Sequence, residues 1–142
     1  MAEDAGQEGM TSLWAIGRRA ERTRTVEESD LTAFAAVSGD HNPVHLDEAF
    51  AATTPFKGRI AHGMLCASWI SALLAEEGPG AIYLSQSLAF KRPVRIGDAV
   101  TISAEVTGSD AKGRVTLSTV CRVKGKVVVD GEAVVLAPRE QG

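Results

Sequence analysis

The sequence predicts an α+β domain in which a curved antiparallel sheet wraps one long helix. Three observations in its 142 residues carry this. Residues 63–77 place apolar side chains on every side of a helical projection, so that helix demands burial on most faces. Beyond residue 98 the pattern changes to strict apolar–polar alternation, the signature of half-buried strands. The links between those strands are of hairpin length, which makes neighbours antiparallel. A sheet with one apolar face and a helix apolar all round satisfy each other when the sheet curls about the helix.

The elements follow in order. Residues 1–12 are rich in Gly, Glu and Ala without periodicity and read as a flexible tail; a single domain spans 13–142. Leu13, Trp14 and Ile16 are expected to dock on the body. Residues 18–26 alternate charged residues with Ala and Thr, which suits an edge strand. Residues 27–37 form a helix through Leu31, Phe34, Ala35 and Val37 or Ser38, with Glu27, Glu28 and Asp30 at the end the dipole favours. Gly39 ends it. Asp47 is an N-cap for a short helix over 48–52, which Thr53, Thr54 and Pro55 stop. A loop over 56–59 turns at Gly58. The long helix follows and ends at Gly78-Pro79-Gly80. Strands are expected over 82–90, 99–107, 114–124 and 127–136, with turns at 108–113 and at Gly125.

Composition excludes several classes. A hydrophobic fraction of 44% supports a packed core. The formal net charge of −3, without a basic block, argues against nucleic acid. The longest strongly apolar run, residues 64–75, is too short and too interrupted to span a bilayer. The first residues lack a basic segment followed by an apolar one, so no signal peptide is expected and the chain is placed in the cytoplasm. Cys66 and Cys121 fall in a helix and a strand with no pairing or metal spacing. They read as buried thiols of a reducing compartment.

The chemistry concentrates in Val37-Ser38-Gly39-Asp40-His41-Asn42-Pro43-Val44-His45, a stretch between two helical patterns. Gly39 permits positive φ, Pro43 fixes φ, and Asn42 before it is biased to extended backbone. Asp40 and His45 therefore share one short, stiffened loop. A carboxylate and an imidazole so placed can hold one water between them and exchange protons with it. Seventeen residues after His45, His62-Gly63-Met64 opens the long helix, whose first N–H groups are free and whose dipole is positive there.

Ser38-Gly39-Asp40-His41-Asn42-Pro43-Val44-His45, followed by Leu46-Asp47 and Ala49, closely resembles the hydratase signature of MaoC-like proteins, which include the (R)-specific enoyl-CoA hydratases. The match continues in Phe50-Ala51-Ala52-Thr53-Thr54, Ile60, His62-Gly63-Met64-Leu65, Ala67-Ser68, Tyr83-Leu84-Ser85-Gln86-Ser87-Leu88, Phe90-Lys91, Pro93-Val94 and Gly97-Asp98. The resemblance implies a hot-dog fold, a homodimer, and reversible hydration of trans-2-enoyl-CoA to (R)-3-hydroxyacyl-CoA. It implies Asp40 and His45 as the catalytic dyad, Gly63 as the oxyanion donor through its backbone N–H, and Ser71 as a supporting hydroxyl. Asn42 and Pro43 orient the loop. No metal and no cofactor are expected, since CoA is part of the substrate. Dehydration or hydration of an acyl group on acyl carrier protein is the alternative; thioesterase chemistry and a non-enzymatic thioester binder are more distant ones.

Each residue also has a structural alternative. Asp40 can serve as the acceptor of an Asx-turn, and His45 and His62 as core and helix-entry residues. Ser71 can be a small packing residue. Trp69 and Leu73 read as core before acyl-pocket wall. His41 reads as exposed, and Lys91 and Arg92 as a solvated strand end rather than contacts for CoA phosphates.

Overall fold

A computed structural model describes residues 14–138. The tail over 1–12 and Leu13 lie outside the described residues. The strands are β1 (Arg19–Thr25), β2 (Ile82–Gln86), β3 (Ala89–Phe90), β4 (Ala99–Ser109), β5 (Arg114–Val123) and β6 (Lys126–Leu136). They form one antiparallel sheet in the order β1-β4-β5-β6-β2, with β3 also pairing to β6. The helices are α1 (Glu28–Ser38), α2 (Pro43–Leu46), α3 (Glu48–Ala52) and α4 (Gly63–Glu77).

The alternation in the second half sets the sheet's inner face. Val100, Ile102, Ala104 and Val106 of β4, Val115, Leu117 and Cys121 of β5, and Val128, Val129, Ala133 and Val135 of β6 are buried. They join Leu65, Cys66, Trp69, Ile70, Leu73 and Leu74 of α4 in one core. Burying each large aliphatic side chain stabilises by roughly 1.5–3 kcal/mol. The β5–β6 link is a tight turn with Lys124 at φ 52° and Gly125 at φ 79°, the pair of positive angles that matches the twist of a hairpin.

Four expectations are corrected. The helix is not covered on every side. Met64, Ser68, Ser71, Ala72 and Ala75 form an exposed stripe along α4. The sheet curls round the remaining faces, and Met64, Ser68 and Ser71 of this stripe border a trough instead. The single strand expected over 82–90 is two, β2 and β3. Both pair with the same edge of β6, and between them the chain presses so closely on β6 that a Cβ on Gly131 would lie 1.8 Å from the Ser87 carbonyl oxygen. The loop after α3 turns at Lys57, φ 61°, rather than at Gly58; the Lys57 N–H closes it on the Thr54 carbonyl at 3.0 Å. Finally, Ile16 does not dock and is 69% exposed. Trp14 alone of the described pair packs inward, with its ring where a Cβ on Gly78 would stand.

The edge strand β1 carries the arginines. Arg19 pairs with Glu21 at 2.7 Å, Arg22 with Glu77 at 3.2 Å and Arg24 with Asp30 at 3.6 Å. Arg24 also lies 4.8 Å from the Trp69 ring centre, a cation–π contact. These charges are met within the molecule, so the edge offers little net positive field to an acidic partner. No helix among the described residues is long and apolar enough to cross a membrane.

Candidate active site

The site begins where α1 stops. Gly39 takes φ 82° and returns its N–H to the Ala35 carbonyl, ending the helix. The chain then folds through short side-chain bonds. The Asp40 N–H donates to Ser38 Oγ at 3.0 Å, and the Asn42 N–H donates to Asp40 Oδ1 at 3.1 Å. Asp40 therefore does close an Asx-turn, with its second carboxylate oxygen left over. Asn42 Oδ1 accepts from the Val44 N–H at 3.2 Å and so caps α2, with Pro43 at its first position. The connecting stretch is thus not loop throughout. Asn-Pro supplies both an N-cap and a pre-set first residue, and His45 sits in the resulting helical turn.

His45 is buried and doubly fixed. Its Nδ1 lies 2.8 Å from the Ile60 carbonyl. A carbonyl only accepts, so Nδ1 carries the proton and Nε2 carries the free lone pair in the neutral ring. Its backbone carbonyl accepts from Arg59 Nε at 2.7 Å. The same guanidinium makes a two-pronged contact with Glu28 of α1 at 2.7 and 2.6 Å. That fork clamps the His45 turn to α1 and holds the Glu28 carboxyl below its ordinary range. Arg59 was not singled out from sequence, and Glu28 only as an acidic residue at the start of its helix. They stand 31 residues apart and no local pattern links them.

His62 is the N-cap residue of α4 and is 1% exposed. Its Nε2 lies 3.1 Å from the Asp40 carbonyl, to which it donates. Its ring stacks on His45 with centres 3.9 Å apart and planes 28° apart, and the Phe34 ring, tilted by 54°, lies 4.8 Å from it. Its Nδ1 is buried with no partner among the described residues. Burial lowers its pKa, and the neighbouring His45 adds to this against the Asp40 contacts.

One carboxylate oxygen of Asp40 and one ring nitrogen each of His45 and His62 lie within 4.8 Å of one another. The residue types are those of a metal site, but the rings are not aimed as ligands. Imidazole lone pairs lie in the ring plane, and two planes stacked at 28° meet well beyond the ~2 Å of a metal–nitrogen bond. The spacing suits a water held between carboxylate and imidazole, since each of its bonds spans ~2.8 Å.

Gly63 stands beside this group in the first turn of α4. Its N–H makes no backbone hydrogen bond among the described residues, so it is free to donate. What approaches the glycine is the Phe90 ring: a Cβ there would lie 2.6 Å from it. The absence of a side chain therefore serves packing within the chain. A cavity of about 240 Å³ opens here, between His62, Gly63, Cys66 and Phe90, with Lys91 and Arg92 on its lining. A larger one of about 470 Å³ lies along the open stripe of α4, between Met64, Ser68 and Ser71 on one wall and Phe34, Leu84 and Leu88 on the other. The surface it exposes is mostly apolar, although Ser68, Ser71, Ser85 and Gln86 also line it. Ser71 stands on that wall and makes no side-chain hydrogen bond among the described residues, whereas Asp40, His45 and Gly63 gather at the helix mouth.

The remaining candidates fall elsewhere. His41 is exposed. Trp69 and Leu73 belong to the core and line neither cavity. Cys66 and Cys121 are free, buried thiols whose pKa values burial pushes up to about 11 and about 12, so neither is a ready nucleophile.

Comparison with known proteins bears on the same residues. A family model described as MaoC like domain matches residues 14–130. A protein of Rhodospirillum rubrum named (R)-specific enoyl-CoA hydratase is 54% identical over 125 residues, 86% of this chain and 87% of that one. One of the same name from Aeromonas caviae is 48% identical over 127 residues, 87% of this chain and 95% of its own. Among solved structures, an unliganded R-hydratase from Pseudomonas aeruginosa superposes with a TM-score of 0.85 at 53% identity, covering 89% of this chain and 83% of that one.

Proposed function

The chain belongs to the MaoC-like domain family, and from that premise we propose that it is an (R)-specific enoyl-CoA hydratase. It is a hydro-lyase that adds water reversibly to trans-2-enoyl-CoA and yields (R)-3-hydroxyacyl-CoA. The observation that carries the site assignment is the approach of the Asp40 carboxylate and the histidine nitrogens within 4.8 Å, beside a free N–H at the mouth of α4.

Hydration puts hydroxyl on the β-carbon and a proton on the α-carbon, while negative charge grows on the thioester oxygen. Asp40 and the His45 Nε2 are both acceptors, so together they grip the two O–H bonds of one water and leave its lone pair facing the β-carbon. As the oxygen attacks, one member of the dyad takes the proton. That proton then passes to the α-carbon, which balances the addition. The Gly63 N–H and the positive end of α4 stabilise the thioester oxygen; one such donor contributes roughly 10²–10³ in rate. The apolar trough beside Met64 and Leu84 takes the acyl chain, and Ser71 contacts the substrate from its wall. Base, acid and oxyanion donor all come from the chain, so the reaction calls for no cofactor.

CoA is the carrier favoured by the hydratase relatives near half identical to the chain. Lys91 and Arg92, expected as a solvated strand end, are exposed and also line the smaller cavity, where their cations suit the CoA phosphates. The active form is a homodimer. Strand β2 is an open edge with Ile82, Tyr83 and Leu84 exposed, and a second copy paired there would cover both that edge and the trough. Two buried free thiols fit the cytoplasm.

Crotonyl-CoA tests the reading. The purified protein should lower the absorbance of the conjugated thioester to its equilibrium value and form the (R)-alcohol without releasing free thiol. No loss with crotonyl-CoA or any longer enoyl-CoA refutes it, and thiol release assigns a thioesterase. Turnover of enoyl groups on acyl carrier protein but not on CoA would move the assignment to the alternative carrier. A monomeric mass at micromolar concentration would remove the dimer.

A further inference from the structure

We propose that His62 is a positioning residue for hydration, joining the Asp40 backbone, the His45 ring and the Gly63 N–H into one rigid unit. The inference rests on the hydratase reading and adds a residue to it. Three contacts of one side chain carry it. The Nε2–H donates to the Asp40 carbonyl at 3.1 Å and so fixes the backbone from which the carboxylate projects. The ring face lies on the His45 ring, centres 3.9 Å apart, and sets the plane in which the Nε2 lone pair points. The residue's own carbonyl belongs to the peptide whose N–H is that of Gly63, and it accepts from the Leu65 N–H at 3.0 Å. Holding the His62 side chain therefore also holds the oxyanion donor.

Asp40 and His62 are 22 residues apart in sequence; the His45 and Arg59 bonds reach only residues 59 and 60, and among the described residues the His62 bond is the side-chain hydrogen bond that joins the dyad stretch to the N-cap of α4 itself. Packing alone is a poor account of a histidine here. At 1% exposure its Nδ1 has no partner, a burden that an apolar ring of similar shape would not carry. The unmatched nitrogen accompanies a ring that must both stack and donate, and phenylalanine can only stack. Displacing reacting groups by ~1 Å can cost ~10²-fold in rate.

The test separates this role from simple filling. His62→Phe keeps the ring and removes the buried polar atoms, so a filler role predicts a melting temperature and a kcat equal to or above those of the wild type. Positioning predicts that stability holds while kcat for crotonyl-CoA falls at least ~10-fold and KM changes much less. His62→Gln offers an Nε2–H to the Asp40 carbonyl without the ring, and it should exceed His62→Leu in kcat. The wild type alone gives a further readout: nitrogen NMR of the imidazoles should show His62 protonated at Nε2 and His45 at Nδ1. Wild-type kcat in His62→Phe, no advantage of Gln over Leu, or His62 protonated at Nδ1 each overturns the inference. A wild type inactive on every enoyl-CoA overturns the hydratase reading itself.

Discussion

The two sides of α4 differ in what they do with the same kind of sequence. On one side Leu65, Cys66, Trp69, Ile70, Leu73 and Leu74 are sealed against the sheet. On the other, Met64, Ser68 and Ser71 face a trough of about 470 Å³, and the mouth of the helix carries the polar group of Asp40, His45 and His62. Stability and chemistry are therefore carried by different faces of one element. Burial of large side chains fixes the helix. On the proposed hydratase reading, the small residues opposite leave room for an acyl chain, and the free N–H at the end is the donor for the thioester oxygen.

Substitutions should separate the two roles. The largest effect on turnover is expected at the mouth. Asp40→Asn and His45→Gln should each lower the rate at least ~10²-fold on crotonyl-CoA, with Asp40→Asn leaving the melting temperature nearly unchanged because the residue is exposed. Ile70→Ala should do the reverse. At 0% exposure it empties core volume and should cost ~2–5 kcal/mol in denaturant unfolding, while the folded fraction keeps its kcat. Loss of activity per folded molecule in Ile70→Ala would break the comparison.

Arg59 lies between the two classes. Arg59→Gln removes the fork to Glu28 and the hold on the His45 carbonyl, so turnover should drop ~10-fold. Glu28→Gln should fall by less, because the bond from Arg59 Nε to His45 remains. Equal losses in the two variants would show that the ion pair, not the carbonyl contact, positions the turn.

The smallest effect concerns pH. His62 has a lowered folded pKa, so the unfolded chain binds its proton more readily. Its contribution to stability is complete above about 6.5 and is lost as pH falls through the folded value, with His45, Asp40 and His41 the charged groups around it. Glu28 follows the same sign lower down: its contribution is present above 4.5 and fades as pH falls through its lowered value. Melting temperatures across pH 7 to 4 should decline in the wild type and decline less in His62→Phe. Parallel curves would remove His62 from the pH response.

What could be read in sequence was local. The alternation of Val100, Ile102, Ala104 and Val106 set β4, Asp47 capped α3, and Gly39 ended α1 as expected. The pairing of Asp40 with His45 was legible because both lie within one short stretch whose Asn-Pro step determines its shape. The contacts that complete the site were not. His62 reaches Asp40 across 22 residues and Arg59 reaches Glu28 across 31, and nothing local marks either. The open stripe of α4 was missed for a different reason. Met and Ala count as apolar wherever they point, so periodicity alone could not show that Met64, Ala72 and Ala75 face outward. The break at Ser87 depends on Gly131, forty-four positions later, having no side chain to obstruct the close approach of the Ser87 carbonyl.

The most direct test is a crystal structure of the wild type with (R)-3-hydroxybutyryl-CoA bound, because the 3-hydroxyl oxygen of that product is the added water. The account predicts that oxygen within hydrogen-bond distance of both the Asp40 carboxylate and the His45 Nε2, with the thioester oxygen on the Gly63 N–H. A hydroxyl lying away from that pair, or a thioester oxygen turned from the mouth of α4, would contradict it.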